Sequence, residues 1–195
     1  MAYKQHFIEW FSGKQLPAYW TEKNHTGTGA FAMVNEVDGG FSVKTGATST
    51  NNSSINFANK RQYAHDGSVI IAAWKRVSAS MIGAFGGIND ATVSTNPTIE
   101  YARLSNDSAL TYILIHSADA TTASLTYSDI PKDQAWHIGK MEFSSSDIKG
   151  TIDGVLKITK TTNRPTVKLQ PYVFSYSRAA AVGETRVRYM EAYNT

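Results

Sequence analysis

Two carboxylates two residues apart are the first candidate for chemistry in this sequence. Residues 35–40 read Asn-Glu-Val-Asp-Gly-Gly. In a strand, side chains at i and i+2 point to one face. Glu36 and Asp38 on such a strand would share a cleft, one as nucleophile and the other as acid/base for glycoside cleavage. The glycines that follow argue for something simpler. Gly39-Gly40 lies between the strings FAMV and FSVKTG, which reads as a hairpin tip with both acids in solvent. A turn is therefore expected here, and no catalytic residue is assigned.

Other reactive constellations are thin. The sequence contains no cysteine, which excludes thiol nucleophiles, disulfides and Cys-ligated metals. It also lacks a Gly-x-Ser-x-Gly elbow. Its five histidines, His6, His25, His65, His116 and His137, are dispersed. His137 follows Trp136 and would point away from it in a strand, toward a groove or a satisfied edge position. Calcium needs several oxygen ligands gathered in a loop. Asn89-Asp90, Asn106-Asp107 and Asp119 offer oxygens from three separate segments without an EF-hand pattern. No metal ligands are assigned, and calcium stays open as the one cofactor.

Binding surfaces are better represented. Sugar rings stack on flat aromatic faces, and the chain holds four Trp and ten Tyr. Trp74 within IIAAWK and Trp136 at the head of a strand are expected in the core. Trp20, between Tyr19 and the polar Thr21-Glu22-Lys23, is the better candidate for exposure, with burial as its default. Lys75-Arg76 ends one strand, and Arg186 and Arg188 alternate along another. If those strands are neighbours, a basic stripe results. Trp20, His137, Arg186 and Arg188 are thus the candidate ligand-binding residues.

The elements that must position these groups are strands. SVIIAAWKRV (68–77), LTYILIH (110–116), AWHIGKMEF (135–143), LQPYVFSYS (169–177) and TRVRYMEAYN (185–194) are short and rich in β-branched or aromatic residues. In the last, Val187, Tyr189 and Tyr193 are expected on one face, and Arg186, Arg188 and Met190 on the other. Asp153-Gly154 in GTIDGVL is expected to form a two-residue turn with positive φ at both positions. A short helix is expected near Ala179–Val182, and TGATSTNNSS (45–54) is read as an exposed loop. With 195 residues, 42% hydrophobic and 18% charged, the chain is expected to be one globular domain, residues 1–195, with a real core. The fold expected is all-β, a two-sheet antiparallel jelly-roll β-sandwich. A net charge of +3 from scattered basic residues gives no nucleic-acid footprint. No apolar run reaches the roughly 20 residues that span a bilayer.

The order of Trp136-His137, IKGTIDGVL, Pro165, LQPYV and the closing RVRYMEAYNT resembles the concanavalin A-like lectin/glucanase jelly roll, in its laminin-G-like branch. The opening FIEWFSGKQLPAYW is similar to that family's entry, where the first strand lies beside the last. Glucanases of this fold carry a third carboxylate after a Glu-x-Asp pair. Gly40 and Phe41 stand there instead, so the resemblance implies no glucanase centre at Glu36 and Asp38. The overall style also resembles phage and archaeal-virus structural proteins. It implies a non-enzymatic virion module, such as a capsid decoration or fibre-type protein, made in the host cytoplasm without a signal peptide. Its partners would be further copies of itself, capsid or tail proteins, and glycans. A carbohydrate-binding lectin is the alternative. A glycoside hydrolase or polysaccharide lyase would need paired carboxylates, or a Tyr/His with Arg, in one groove.

Overall fold

The computed structural model describes residues 6–34, 40–58, 60–89 and 100–195. Glu36, Asp38 and Asp90 lie outside these, so the expected turn at 36–40 and any calcium ligand at Asp90 are not addressed. Two antiparallel sheets face each other. The first, sheet A, contains β1 (His6–Glu9), β3 (Gly29–Met33), β4 (Phe41–Thr45), β6 (Gly67–Arg76), β11 (His137–Ser144), β12 (Ile148–Ile152), β13 (Val155–Lys160) and β15 (Glu184–Asn194). They run in the order β13-β12-β11-β6-β15-β4-β3, with β1 beside β15. The second, sheet B, contains β2 (Thr21–Thr26), β5 (Asn52–Asn56), β7 (Met81–Ile88), β8 (Tyr101–Asp107), β9 (Tyr112–Ala118), β10 (Ala123–Pro131) and β14 (Gln170–Ser177), in the order β10-β9-β8-β7-β14-β5-β2. The first strand does lie beside the last, as the resemblance implied.

The core forms where the inner faces meet. Trp74 and Ile70 of β6, Met141 of β11 and Val187 and Met190 of β15 meet Phe85, Leu104, Ile115 and Val173 from sheet B. Alternation along each strand delivers these residues inward and sends their neighbours out. Trp20 joins them. It is 5% exposed and packs on Phe7, Phe11 and Phe57, so its ring is not offered to a ligand.

Several expectations are corrected. The segment 52–56 is the buried strand β5, not part of an exposed loop, because β14 and β2 pair with it from both sides. No helix forms at 179–182. Ser177 Oγ instead donates to the carbonyls of Ala179 and Ala181 and draws the chain into a tight bend. The face assignment in β15 also changes. The register slips between Val187 and Tyr189, a β-bulge with Arg188 as the extra residue. Beyond it Met190 joins Val187 in the core, and Tyr189 turns outward with Arg188.

The Asp153-Gly154 turn is present, with φ of 50° and 84°. A β-branched residue is strained there, so Gly154→Val is expected to lower stability by about 1–3 kcal/mol. Denaturant unfolding measures the shift. Asp153 also has a structural task. One carboxylate oxygen accepts the Ile138 N–H, and the other bonds His137 Nδ1 at 2.7 Å.

Candidate functional site

The outer face of sheet B carries the polar chemistry. Residues paired across an antiparallel ladder share a face. One row runs Asn56, Tyr172, Gly86, Arg103, His116 and Leu125 across five ladders. A second row runs Asn52, Tyr176, Ile82 and Asp107. Strand β8 supplies the densest set, because the alternation in YARLSND sends Tyr101, Arg103, Ser105 and Asp107 outward and Ala102 and Leu104 inward. A cavity of about 360 Å³ opens on this face. Arg103, Ser105, Asp107, His116, Tyr176 and Arg178 are among its lining.

Two of its lining residues, Arg103 and His116, belong to a bonded trio with the buried Tyr101. Arg103 Nη2 donates to His116 Nδ1 at 2.9 Å, and His116 Nε2 lies 2.9 Å from the Tyr101 hydroxyl. A guanidinium only donates, so Nδ1 accepts, and the neutral ring carries its proton on Nε2. That N–H donates to the Tyr101 oxygen. Burial, followed by the charges of Arg103, Lys160 and Arg178, holds the His116 pKa down at about 3. The imidazole is therefore neutral throughout the physiological range.

Positive charge surrounds the trio. Arg178 pairs with Asp107 through its Nη2 and lies over the Tyr176 ring, 5.5 Å from the centroid. Arg103 lies over the Tyr101 and Phe174 rings at 5.0 and 4.8 Å. Lys160, itself buried, donates to Ser124 Oγ, which lines the cavity. Asp107 is the sole carboxylate in the described lining and is already paired.

Orphaned polar groups lie on the same face. Both amide atoms of Asn56 and of Gln170, Asn52 Oδ1 and Ser105 Oγ are buried without a hydrogen-bond partner. Native structures rarely leave such groups unmatched. Of these, Ser105 lines the cavity. Burial pushes the Tyr172 hydroxyl well above the ordinary tyrosine range, so it stays protonated and able to donate.

The residues singled out in the sequence lie elsewhere. Arg186 is the cross-strand neighbour of Lys75 on the outer face of sheet A, so the basic stripe exists. Glu184 bonds Arg186 Nε at 2.6 Å and neutralises much of it. Arg76, by contrast, turns inward onto Asn106 and the carbonyls of Ser78 and Ala79. Trp136 is not in the core. It is partly exposed, with Arg188 and Lys75 over its ring. His137 is buried between Asp133 and Asp153. Among the described residues no group of three or more His, Asp or Glu is placed to hold a metal ion.

His137 is a structural clamp with a pH signature. Burial lowers its pKa, but hydrogen bonds and charge from Asp153 and Asp133 outweigh burial and raise it. A raised folded pKa stabilises fully below the ordinary value of about 6.5, and that contribution is lost as pH rises through the folded value. His137→Gln is expected to remove this fall. Unfolding of both proteins at about pH 5 and about pH 9 tests it, and an unchanged pH slope in the variant would count against the clamp.

The fold defined by these two sheets is the concanavalin A-like lectin/glucanase jelly roll. No protein-family model matches the sequence, and comparison with curated protein sequences finds no match. Solved structures are similar over nearly the whole chain. A prokaryotic β-1,3-1,4-glucanase (lichenase) derived from a mouse hindgut metagenome superposes with a TM-score of 0.69 at 10% identity, covering 97% of this chain and 98% of that one. A laminarinase from Flavobacterium sp. UMI-01 gives 0.66 at 14%, covering 96% and 99%. The carbohydrate recognition domain of Emp47p gives 0.65 at 9%, covering 97% and 94%. At these identities the likeness establishes the fold. It also corrects the expectation that the chain is not an enzyme. That expectation took a lone sandwich for a structural module, yet glycoside hydrolases fill this same architecture from end to end.

Proposed function

We propose that the protein is a carbohydrate-active enzyme whose groove on sheet B binds an acidic, uronate-containing glycan and cleaves it by β-elimination. One observation carries this reading: Arg103 and His116, bonded to each other and through His116 to the buried Tyr101, line a single cavity with Tyr176 and Arg178. A uronate carboxylate needs its charge neutralised before the adjacent carbon will release a proton. Arg103 and Arg178 supply that positive charge. A base then removes the proton, the bond to the leaving glycosidic oxygen breaks, and an acid returns a proton to that oxygen, leaving a carbon–carbon double bond in the sugar. Tyr176 lines the cavity and offers a hydroxyl for proton exchange there, while His116, with both ring nitrogens engaged, holds Arg103 in place.

Hydrolysis is the second reading, since a β-1,3-1,4-glucanase and a laminarinase are among the similar structures. Incubation with alginate, polyglucuronate and neutral β-glucans separates the two. Elimination yields ultraviolet-absorbing unsaturated ends from the acidic polymers. New reducing ends without unsaturation would establish hydrolysis instead, and neither product from any polymer would overturn the enzymatic proposal. A virion setting, with copies of the chain or capsid and tail proteins as partners, remains a proposal from the sequence. Immunodetection of the chain on purified particles tests it.

A further inference from the structure

The groove on sheet B reaches the edge of the sheet. Its lining runs from Tyr176 on β14 to Leu125 on β10, across β7, β8 and β9. At the ordinary spacing between strands that is about 19 Å. β10 is an edge strand, so a chain laid along the groove crosses the strands and leaves over β10. Two aromatic side chains stand at that exit. Tyr127 of β10 is the cross-strand neighbour of Leu114, and Tyr112 precedes Leu114 by two residues on β9. Alternation puts both on the face that Leu114 and His116 share, while Ile113 and Ile115 enter the core.

Their rings are open where the cavity's own is covered. Tyr176, the one tyrosine in the described lining, lies under the Arg178 guanidinium, 5.5 Å from its centroid. The Tyr101 ring is buried and carries Arg103. Tyr127, by contrast, is 47% exposed and Tyr112 39%. Among the described residues neither side chain has a hydrogen bond, a cation or a second ring against it. The lining residues Leu114 and Leu125 join these rings to the cavity. Leu114 lies opposite Tyr127, and Leu125 lies two residues before it on the same face. The aromatic exit is thus continuous with the pocket rather than a separate patch.

We infer that Tyr127 and Tyr112 form a binding subsite for a sugar that follows, along the same glycan chain, the sugars held in the cavity. The apolar face of a sugar ring stacks on an open aromatic face, and a chain seated in the cavity passes over β10 as it leaves. The occupant rests on the proposed function of the groove: a polymer cleaved there carries further sugars beyond the scissile bond. Tyr127 is the main platform, because it is the more exposed and stands directly across from Leu114. The subsite adds affinity for longer chains and takes no part in breaking bonds.

The test uses the full chain and measures affinity separately from turnover. Titration calorimetry compares a uronate disaccharide with the hexasaccharide of the same sugar. The parent is expected to bind the hexasaccharide about tenfold more tightly, the gain from one aromatic stacking contact. Tyr127→Ala should bring that ratio close to one, and Tyr112→Ala should lower it by less. Tyr127→Phe keeps the ring and should keep the ratio, which separates stacking from loss of the hydroxyl. A parental ratio in Tyr127→Ala overturns the inference, and so does a parent that binds both lengths equally or neither. Sedimentation showing that Tyr127→Ala dissociates a dimer would assign the rings to a second copy and likewise overturn it. The expected affinities without any unsaturated product would support the subsite and count against elimination alone.

Discussion

Arg103→Ala is expected to abolish elimination, lowering the rate of unsaturated-end formation by about 10²–10⁴-fold, the range seen when a preorganised charge or proton-transfer group is lost. Two effects combine. The variant removes the cation that neutralises the substrate carboxylate, and it frees His116 Nδ1, whose hydrogen bond fixes the tautomer. The His116 pKa should then climb from about 3 toward the ordinary imidazole range, because Arg103 is the largest charge holding it down after burial. An NMR titration of His116, taken on a variant whose dispersed spectrum shows it folded, provides a second readout, since an unfolded chain would also titrate near the ordinary value of about 6.5. Arg103→Lys keeps the charge without the fork geometry and is expected to restore only part of the rate. A folded Arg103→Ala protein with parental turnover would remove the groove from the mechanism.

Trp74→Ala is expected to cost about 3–5 kcal/mol, the usual range for deleting a fully buried aromatic. Against a total stability of about 5–15 kcal/mol, that brings the fold near its limit. Trp74 is 0% exposed and packs against Phe85 at 4.9 Å and the His137 ring at 5.8 Å. Its neighbour Gly139 makes the argument sharper. A Cβ at Gly139 would lie 2.6 Å from Trp74 Cζ3 and 2.7 Å from both Leu104 and Phe85. Gly139→Ala alone therefore overpacks the core. On the Trp74→Ala background one of the three obstacles is gone, so the same substitution should cost less. Urea unfolding of the four proteins measures the coupling, and strict additivity would contradict the packing described.

The groove shows how little of a site a sequence exposes when its members come from different strands. Arg103, His116 and Tyr176 lie on β8, β9 and β14. His116 reads in the chain as the end of an apolar string, and Asp107 as part of a polar turn. The one local signal was the alternation in YARLSND, which puts Tyr, Arg, Ser and Asp on a single face. Even that signal does not say whether the face is a groove or a solvated surface.

What the sequence determined by itself is local. Composition identified β6, β9, β11, β14 and β15, because short runs of β-branched and aromatic residues bounded by turn formers suit strands. Asp153-Gly154 identified its turn, because few residues accept positive φ in succession. The absence of cysteine excluded thiol chemistry outright. Only the tertiary structure decided burial and convergence. Asn52–Asn56 looks like a loop by composition, yet it is buried because strands from distant parts of the chain pair with it on both sides. Trp136 leaves its expected place in the core for a related reason: burial depends on what another segment lays over a ring, which the ring's own neighbours do not encode. Arg188 became an outward-facing residue beside Tyr189 because β15 slips by one residue against β6. A slip of one residue moves every following side chain to the opposite face, and it is set by the partner strand, not by the strand's own sequence.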